Sequence, residues 1–146
     1  MIHVDKEGTW FHRGAPIIHQ GILQLFYRSI RQDEQGRYLL VLKEQTCVLE
    51  VEDTPFVIAQ TTLMPPDHEA PNERIVVRLV DGTEEMLDPA TLTVGADHVL
   101  YCTVQKGRFV ARFSRAAYYQ LARHIKQDQK TGVFFLIVAG QRYNLA

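Results

Sequence analysis

Serine is nearly missing from this chain: Ser29 and Ser114 are the two copies in 146 residues. Ser29 falls inside a helical pattern. Ser114 sits just ahead of Arg115-Ala116-Ala117-Tyr118-Tyr119, where its hydroxyl is committed to capping a backbone N–H. There is no G-x-S-x-G elbow, so a serine hydrolase is not expected. The glycine loops G-x-G-x-x-G and G-x-x-x-x-G-K-[ST] are lacking too, which removes the two common nucleotide-phosphate cradles. Cysteine is equally sparse. Cys47 and Cys102 fit no zinc or redox spacing and lie in apolar, strand-like segments, which predicts two reduced, buried thiols. No apolar run approaches the roughly 20 residues that span a bilayer. The opening Met1-Ile2-His3-Val4-Asp5-Lys6-Glu7 places acids where a secretory leader has its apolar stretch, so a cytoplasmic protein with no membrane partner is expected.

An excess of one charge is also absent from the total, where 16 basic and 17 acidic side chains leave −1. The distribution is uneven. Residues 1–43 carry six basic and four acidic groups, residues 44–100 two and twelve, and residues 101–146 eight and one. The acidic centre is therefore flanked by two basic segments. A basic third can serve phosphate-bearing ligands or nucleic acid. With a near-neutral total and no nucleic-acid motif, nucleic acid is not an expected partner, and mutual docking of the oppositely charged segments competes as an explanation.

What is present is ordinary globular material, 46% apolar and 23% charged. Two segments have helical period: Ile22, Leu25, Phe26 and Ile30, and then Ala117, Tyr118, Leu121, Ala122 and Ile125. Most of the rest reads as strand: 37–42, 47–51, 56–63, 74–80, 99–105, 108–113, 133–138 and 142–145, with 84–87 as a further candidate. Asp81-Gly82, Lys106-Gly107 and Ala139-Gly140 mark turns between them.

The helical segments are related. Arg28-Ser29-Ile30-Arg31-Gln32-Asp33 aligns with Arg123-His124-Ile125-Lys126-Gln127-Asp128. Gly8-Thr9-Trp10-Phe11-His12-Arg13 precedes the first, and Gly107-Arg108-Phe109-Val110-Ala111-Arg112 precedes the second. Gly36 and Gly132 each follow, and each leads into an apolar strand. Such spacing predicts one supersecondary unit of strand or hairpin, helix and two strands used twice. The expected fold is α+β, two repeated small antiparallel-sheet lobes, each with one α-helix. The expected division is an N-terminal lobe over 1–64, a Pro-rich acidic connection over 65–73 and a C-terminal lobe over 74–146. The connection reads equally as the tip of a hairpin joining 56–63 to 74–80.

The run Asp5-Lys6-Glu7-Gly8-Thr9-Trp10-Phe11-His12-Arg13-Gly14-Ala15-Pro16-Ile17 resembles the opening of a bacterial family of uncharacterised proteins, domain of unknown function 1285. Leu25-Phe26, Gly36-Arg37-Tyr38 and Val51-Glu52-Asp53-Thr54-Pro55-Phe56 continue the resemblance, and Ala111–Leu121 looks like the family's second helix. The resemblance implies two related α+β lobes, no assigned catalysis, and a role in signal transduction through ligand or partner binding. The chain departs from the family where Leu42-Lys43 stands in place of a Thr-Pro pair, and where Val138-Ala139-Gly140-Gln141 stands in place of a Trp-Ser-Gly-Gly turn.

Six histidines, His3, His12, His19, His68, His98 and His124, show no ligand spacing, so neither a metal nor another cofactor is expected. Glu50 and Glu52 would share a strand face, with Asp53 in the turn beyond. Trp10, His12 and Arg13 combine an aromatic with charge, as a planar or anionic ligand would require. Arg112, Arg115, Arg123 and Lys126 come from one strand–helix unit, and Tyr118 and Tyr119 neighbour Arg115 on the helix surface. The expected site is ligand-binding and not catalytic: Trp10, His12 and Arg13 from one lobe, Arg115 and Tyr119 from the other, and Glu52 and Asp53 as an acidic wall in a cleft between lobes. The expected partner is a small anionic ligand or an acidic protein, and an oligomer is left open. The alternatives are an adaptor using the acidic strand surface, and an enzyme pairing His12 with Glu52 or Asp53.

Overall fold

Short alternations of apolar and polar residues, punctuated by glycine turns, build strands of two to nine residues. The computed structural model describes residues 1–145, and the chain divides into two compact units, Met1–Pro55 and Phe56–Ala146. The N-terminal unit runs β1 (Ile2–Val4), β2 (Trp10–His12), β3 (Ala15–Pro16), α1 (Gln20–Arg28), β4 (Ile30–Gln32), β5 (Tyr38–Leu42) and β6 (Gln45–Val51). Its six strands form one sheet in the order β3-β2-β1-β6-β5-β4. All neighbours are antiparallel except β1 and β6, which run parallel with Ile2 opposite Leu49. Val4, Trp10, Tyr27, Ile30, Leu40 and Leu49 are buried as the core of this unit.

The C-terminal unit runs β7 (Phe56–Met64), β8 (Arg74–Leu79), β9 (Glu84–Met86), β10 (Thr93–Val94), β11 (Leu100–Val104), β12 (Phe109–Phe113), α2 (Arg115–Ala122), β13 (Ile125–Gln127), β14 (Phe134–Val138) and β15 (Gln141–Asn144). A six-stranded sheet is ordered β10-β11-β12-β7-β8-β9, and β13-β14-β15 form a small third sheet. Here the parallel pair is β12 with β7, Ala111 opposite Phe56. Phe56, Val57 and Ile58 are buried without alternation, as expected of a strand covered on both faces. The neighbouring β8, β11 and β12 bury every second residue: Ile75, Val77 and Leu79; Leu100, Cys102 and Val104; Phe109, Ala111 and Phe113. Residues 65–73 are the tip of the β7–β8 hairpin, since the ladder closes at Met64 opposite Arg74. Asp67 organises the tip by accepting the N–H groups of Glu69 and Ala70 at 2.9 and 2.8 Å.

The α+β class read from the residues is the one observed, with one α-helix in each unit, and each six-stranded sheet is mixed through one parallel pair where antiparallel sheets were expected. The repeat is legible in the ladders themselves. Ile30 lies opposite Leu40, and Leu40 opposite Cys47. Ile125 lies opposite Leu136, and Leu136 opposite Tyr143. Ahead of the helices, Trp10 pairs with Val4 and Phe109 with Val104. The turns repeat as well. Gln32 Nε2 donates to the carbonyl of Gly36, and Gln127 Nε2 to that of Gly132, both at 3.1 Å. Both glycines hold a left-handed φ, +82° and +75°, which a side chain would strain. The units diverge in what flanks the shared motif. In the N-terminal unit the seven-residue β6 continues far enough to pair with β1, whereas β15 stops after four residues and its sheet remains separate.

Two local expectations need correction. Ile30 and Ile125 do not close the helices. Each opens a strand, because the helices stop at Arg28 and Ala122 and a β-branched residue suits the extended backbone that follows. Ser29 is accordingly the α1 C-cap, its N–H donating to Phe26 O and its hydroxyl to Leu25 O at 2.7 Å. The second correction concerns the thiols. Cys102 is buried, but Cys47 is exposed on β6.

Candidate functional site

Helix α2 is fixed at its start by Ser114, whose hydroxyl accepts the Ala117 N–H at 3.1 Å, the capping role expected of it. Ala117 and Leu121, four apart, are fully buried beneath it. Gln120 anchors the helix to β7 by accepting the Thr61 N–H at 2.7 Å. With that face committed inward, Arg115, Tyr119 and Arg123 rise on the outside at successive spacings of four. Tyr119 is 61% exposed and meets the half-buried Tyr118 edge-on, ring centroids 5.6 Å apart. Thus one tyrosine leans inward and the other stands beside Arg115, as the spacing predicts. Arg115 and Arg123 have no ion pair among the described residues, and α2 itself contains no acidic residue.

The N-terminal candidates take distinct places. Trp10 is buried, its ring 5.7 Å from Phe26 and 5.0 Å from Tyr27, while His12 is exposed at the far end of β2. Arg13 is exposed and begins the β2–β3 turn with φ +52°, a conformation uncommon outside glycine. Glu52 lies just past β6 and accepts the Lys6 N–H at 2.9 Å. Asp53 is half-buried, and its charge adds to burial in pushing the Tyr38 phenol above its ordinary range.

The ladder register separates the proposed acid–base partners. His12 stands opposite Ile2, and Val51 stands opposite Val4 at the other end of β1. Glu52 and His12 are therefore about 10 Å apart along the strands and two strand spacings of about 5 Å across, beyond hydrogen-bond reach. The pair that forms instead is His3 Nδ1 with Glu50, 3.8 Å apart and exposed on adjacent strands. It depends on the parallel pairing of β1 with β6, which no local sequence signal announces. Among the described residues, no three His, Cys, Asp or Glu side chains converge as metal ligands would. No helix among them is long and apolar enough to cross a membrane.

The acidic centre and the basic third of the sequence meet inside the C-terminal unit, although its ion pairs stay local. Arg74 pairs with Asp67, Arg78 with Glu84, and Arg142 with Asp128. Two carboxylates cross between the two stretches: Glu73 accepts the Ala139 N–H at 3.0 Å, tying the β7–β8 hairpin to the β14–β15 turn, and Glu85 of β9 accepts the Gln105 N–H at 2.9 Å. The Arg142 guanidinium also stacks over Phe135, 3.8 Å from the ring centroid. Arg142 is occupied in this way, whereas Arg115 and Arg123 have no ion pair among the described residues.

Residues 1–54 match the family profile described as domain of unknown function (DUF1285), N-terminal domain. No curated protein matches the chain. Among solved structures, a DUF1285 family protein from Silicibacter pomeroyi DSS-3 is similar with a TM-score of 0.77 and 21% identity, over 99% of this chain and 78% of that one. A DUF1285 family protein from Shewanella baltica OS155 is similar with a TM-score of 0.64 and 18% identity, over 84% of this chain and 90% of that one. Residues 1–54 thus match the DUF1285 N-terminal domain, and the chain has the fold of DUF1285 family proteins, the family its opening residues resemble.

Proposed function

We propose that this protein is a non-catalytic binding module that takes an acidic protein partner on the outer face of α2. The observation that carries this reading is the stripe Arg115–Tyr119–Arg123, exposed on a helix whose opposite face is buried. Two guanidiniums with no ion pair among the described residues offer charge-assisted hydrogen bonds, and the phenol between them adds a flat apolar contact. On an exposed helix face the stripe lines up donors along a carboxylate-bearing peptide segment, so the acidic protein is favoured over the small anionic ligand. A module of this kind would act in signal transduction by engaging its partner, with no chemistry of its own.

A short fluorescein-labelled Glu-rich peptide titrated with the full chain tests the reading by anisotropy. Binding is expected at low salt and should weaken as salt is raised. Replacing Arg115 and Arg123 together by Ser should weaken it at least about tenfold, with the far-ultraviolet circular dichroism unchanged because both side chains are exposed. No anisotropy change at low salt, or equal affinity in the double variant, overturns the proposal.

A further inference from the structure

The repeat also exposes a mismatch between two sheet edges. Strands β4 and β13 each lie at the end of their sheet, and Ile30-Arg31-Gln32 aligns with Ile125-Lys126-Gln127. Antiparallel ladder bonds fall on alternate residues. In β4 the Asp33 N–H donates to Arg37 O and Arg31 lies opposite Leu39, so Ile30 and Gln32 turn their backbone groups outward. In β13 the Asp128 N–H donates to Val133 O and Lys126 lies opposite Phe135, so Ile125 and Gln127 turn theirs outward.

The β4 edge is occupied by its own chain. Arg31 folds back and donates from Nη1 to Ile30 O at 2.8 Å and to Arg28 O at 3.0 Å. Lys126, exposed at the corresponding place, makes no such bond among the described residues, and the outward groups of Ile125 and Gln127 stay open there. Arg123, the last member of the α2 stripe, lies two residues before β13, so stripe and edge are continuous.

We propose that the acidic partner placed on α2 also adds an extended segment to the β13 edge as a further strand, an inference that rests on that placement. Charge selects this occupant. Arg123, Lys126 and Lys130 are exposed around the edge, and Asp128, the one carboxylate in residues 123–132, is taken by Arg142. A lysine on an edge repels a like strand and admits an acidic one. The chain's own edges do not fit. A second β13 would bring the same cations together, and β15 carries Arg142. Strand β3 ends in Pro16, β10 has two residues, and β4 is occupied by Arg31. On β9, Glu84 is paired with Arg78 and Glu85 holds the Gln105 N–H. In the complex, partner carboxylates meet Arg123 and Lys126 while its main chain takes the outward groups of Ile125 and Gln127, as in strand addition to a sheet edge.

The Glu-rich peptide is the probe, with amide hydrogen exchange of the full chain followed by NMR. Saturating peptide should slow exchange of the Gln127 amide by about tenfold or more. The outward Gln32 amide on β4 should be unchanged. Lys126→Arg keeps the charge and supplies the group that occupies the β4 edge, so it should weaken peptide binding by about fivefold or more. A contact made through charge alone would not distinguish the two side chains. Circular dichroism should be unaltered, since Lys126 is exposed. Suppose the peptide binds and the Arg115 and Arg123 double variant weakens it, but Gln127 exchange is unmoved or Lys126→Arg binds like the parent. Strand addition is then overturned and the α2 surface stands. No binding at low salt overturns both.

Discussion

Arg142 reaches back from β15 to place Nη2 3.0 Å from the Asp128 carboxylate, which already accepts the N–H groups of Lys130 and Thr131 at 2.8 and 3.2 Å. One side chain thus organises the β13–β14 turn and holds the third strand of the sheet to it. Those backbone hydrogen bonds, first that from Lys130, together with Arg142, keep the Asp128 carboxyl below its ordinary range. The group binds its proton less readily when folded, so it contributes stability above the unfolded aspartate value of about 4, and that contribution is lost as pH falls through the lowered folded value. Asp128→Asn should lower the thermal midpoint at pH 7 and flatten its decline on the acid side. Midpoints measured from pH 7 down to 3 for parent and variant check this, and parallel curves would refute it.

Asp33 stands at the same place in the other unit, accepting the N–H groups of Gln35 and Arg37 and pairing with Arg37 Nε at 2.8 Å. This correspondence was legible in the residues, because Gln32-Asp33 and Gln127-Asp128 align letter for letter ahead of glycines that must adopt a positive φ. The strands were legible for a similar reason: alternation and turn glycines are local signals. The pairing of β1 with β6 and of β12 with β7 was not, because parallel neighbours are distant in sequence and share no turn. The His3–Glu50 contact escaped the sequence reading with it. The stripe on α2 could be drawn from helical spacing alone. The exposure of Ile22 and Leu25 on α1 could not, since both share the apolar periodicity of buried neighbours, and exposure depends on what is packed over them.

Burial beneath α2 predicts a sharp contrast between residues two positions apart. Leu121 is fully buried, whereas Tyr119 is 61% exposed. Leu121→Ala removes apolar contact and leaves a cavity, so it should cost about 2–5 kcal/mol. Tyr119→Ala should remain within about 0.5 kcal/mol of the parent. Urea unfolding followed by circular dichroism gives both values. A small loss for Leu121→Ala would mean that the helix is not packed on β7 as described.

The N-cap of α2 predicts a smaller effect with a specific signature. Ser114→Ala removes the acceptor of the Ala117 N–H and should destabilise by about 1 kcal/mol, whereas Ser114→Asp keeps an acceptor and should recover most of the loss. Chemical denaturation of both variants distinguishes capping from simple packing, since a packing role would not be restored by the carboxylate.

The two thiols should behave as different reagents. Cys47 is exposed on β6 and should react with Ellman's reagent at mildly alkaline pH without unfolding. Cys102 lies in the core of β11, where burial and then the Glu85 carboxylate push its thiol up to about 12. It should react only as the C-terminal unit opens. The native protein is therefore expected to release one equivalent of chromophore quickly, and the second only in denaturant. Cys47→Ser should abolish the fast equivalent and leave the slow one. The raised thiol value also has a stability consequence of definite sign. The folded state holds the Cys102 proton more tightly than the unfolded chain does, so this contribution is complete below the ordinary thiol value of about 8.5 and declines as pH rises above it. Two fast equivalents in the native protein would place Cys102 at the surface and contradict the register of β11 against β12.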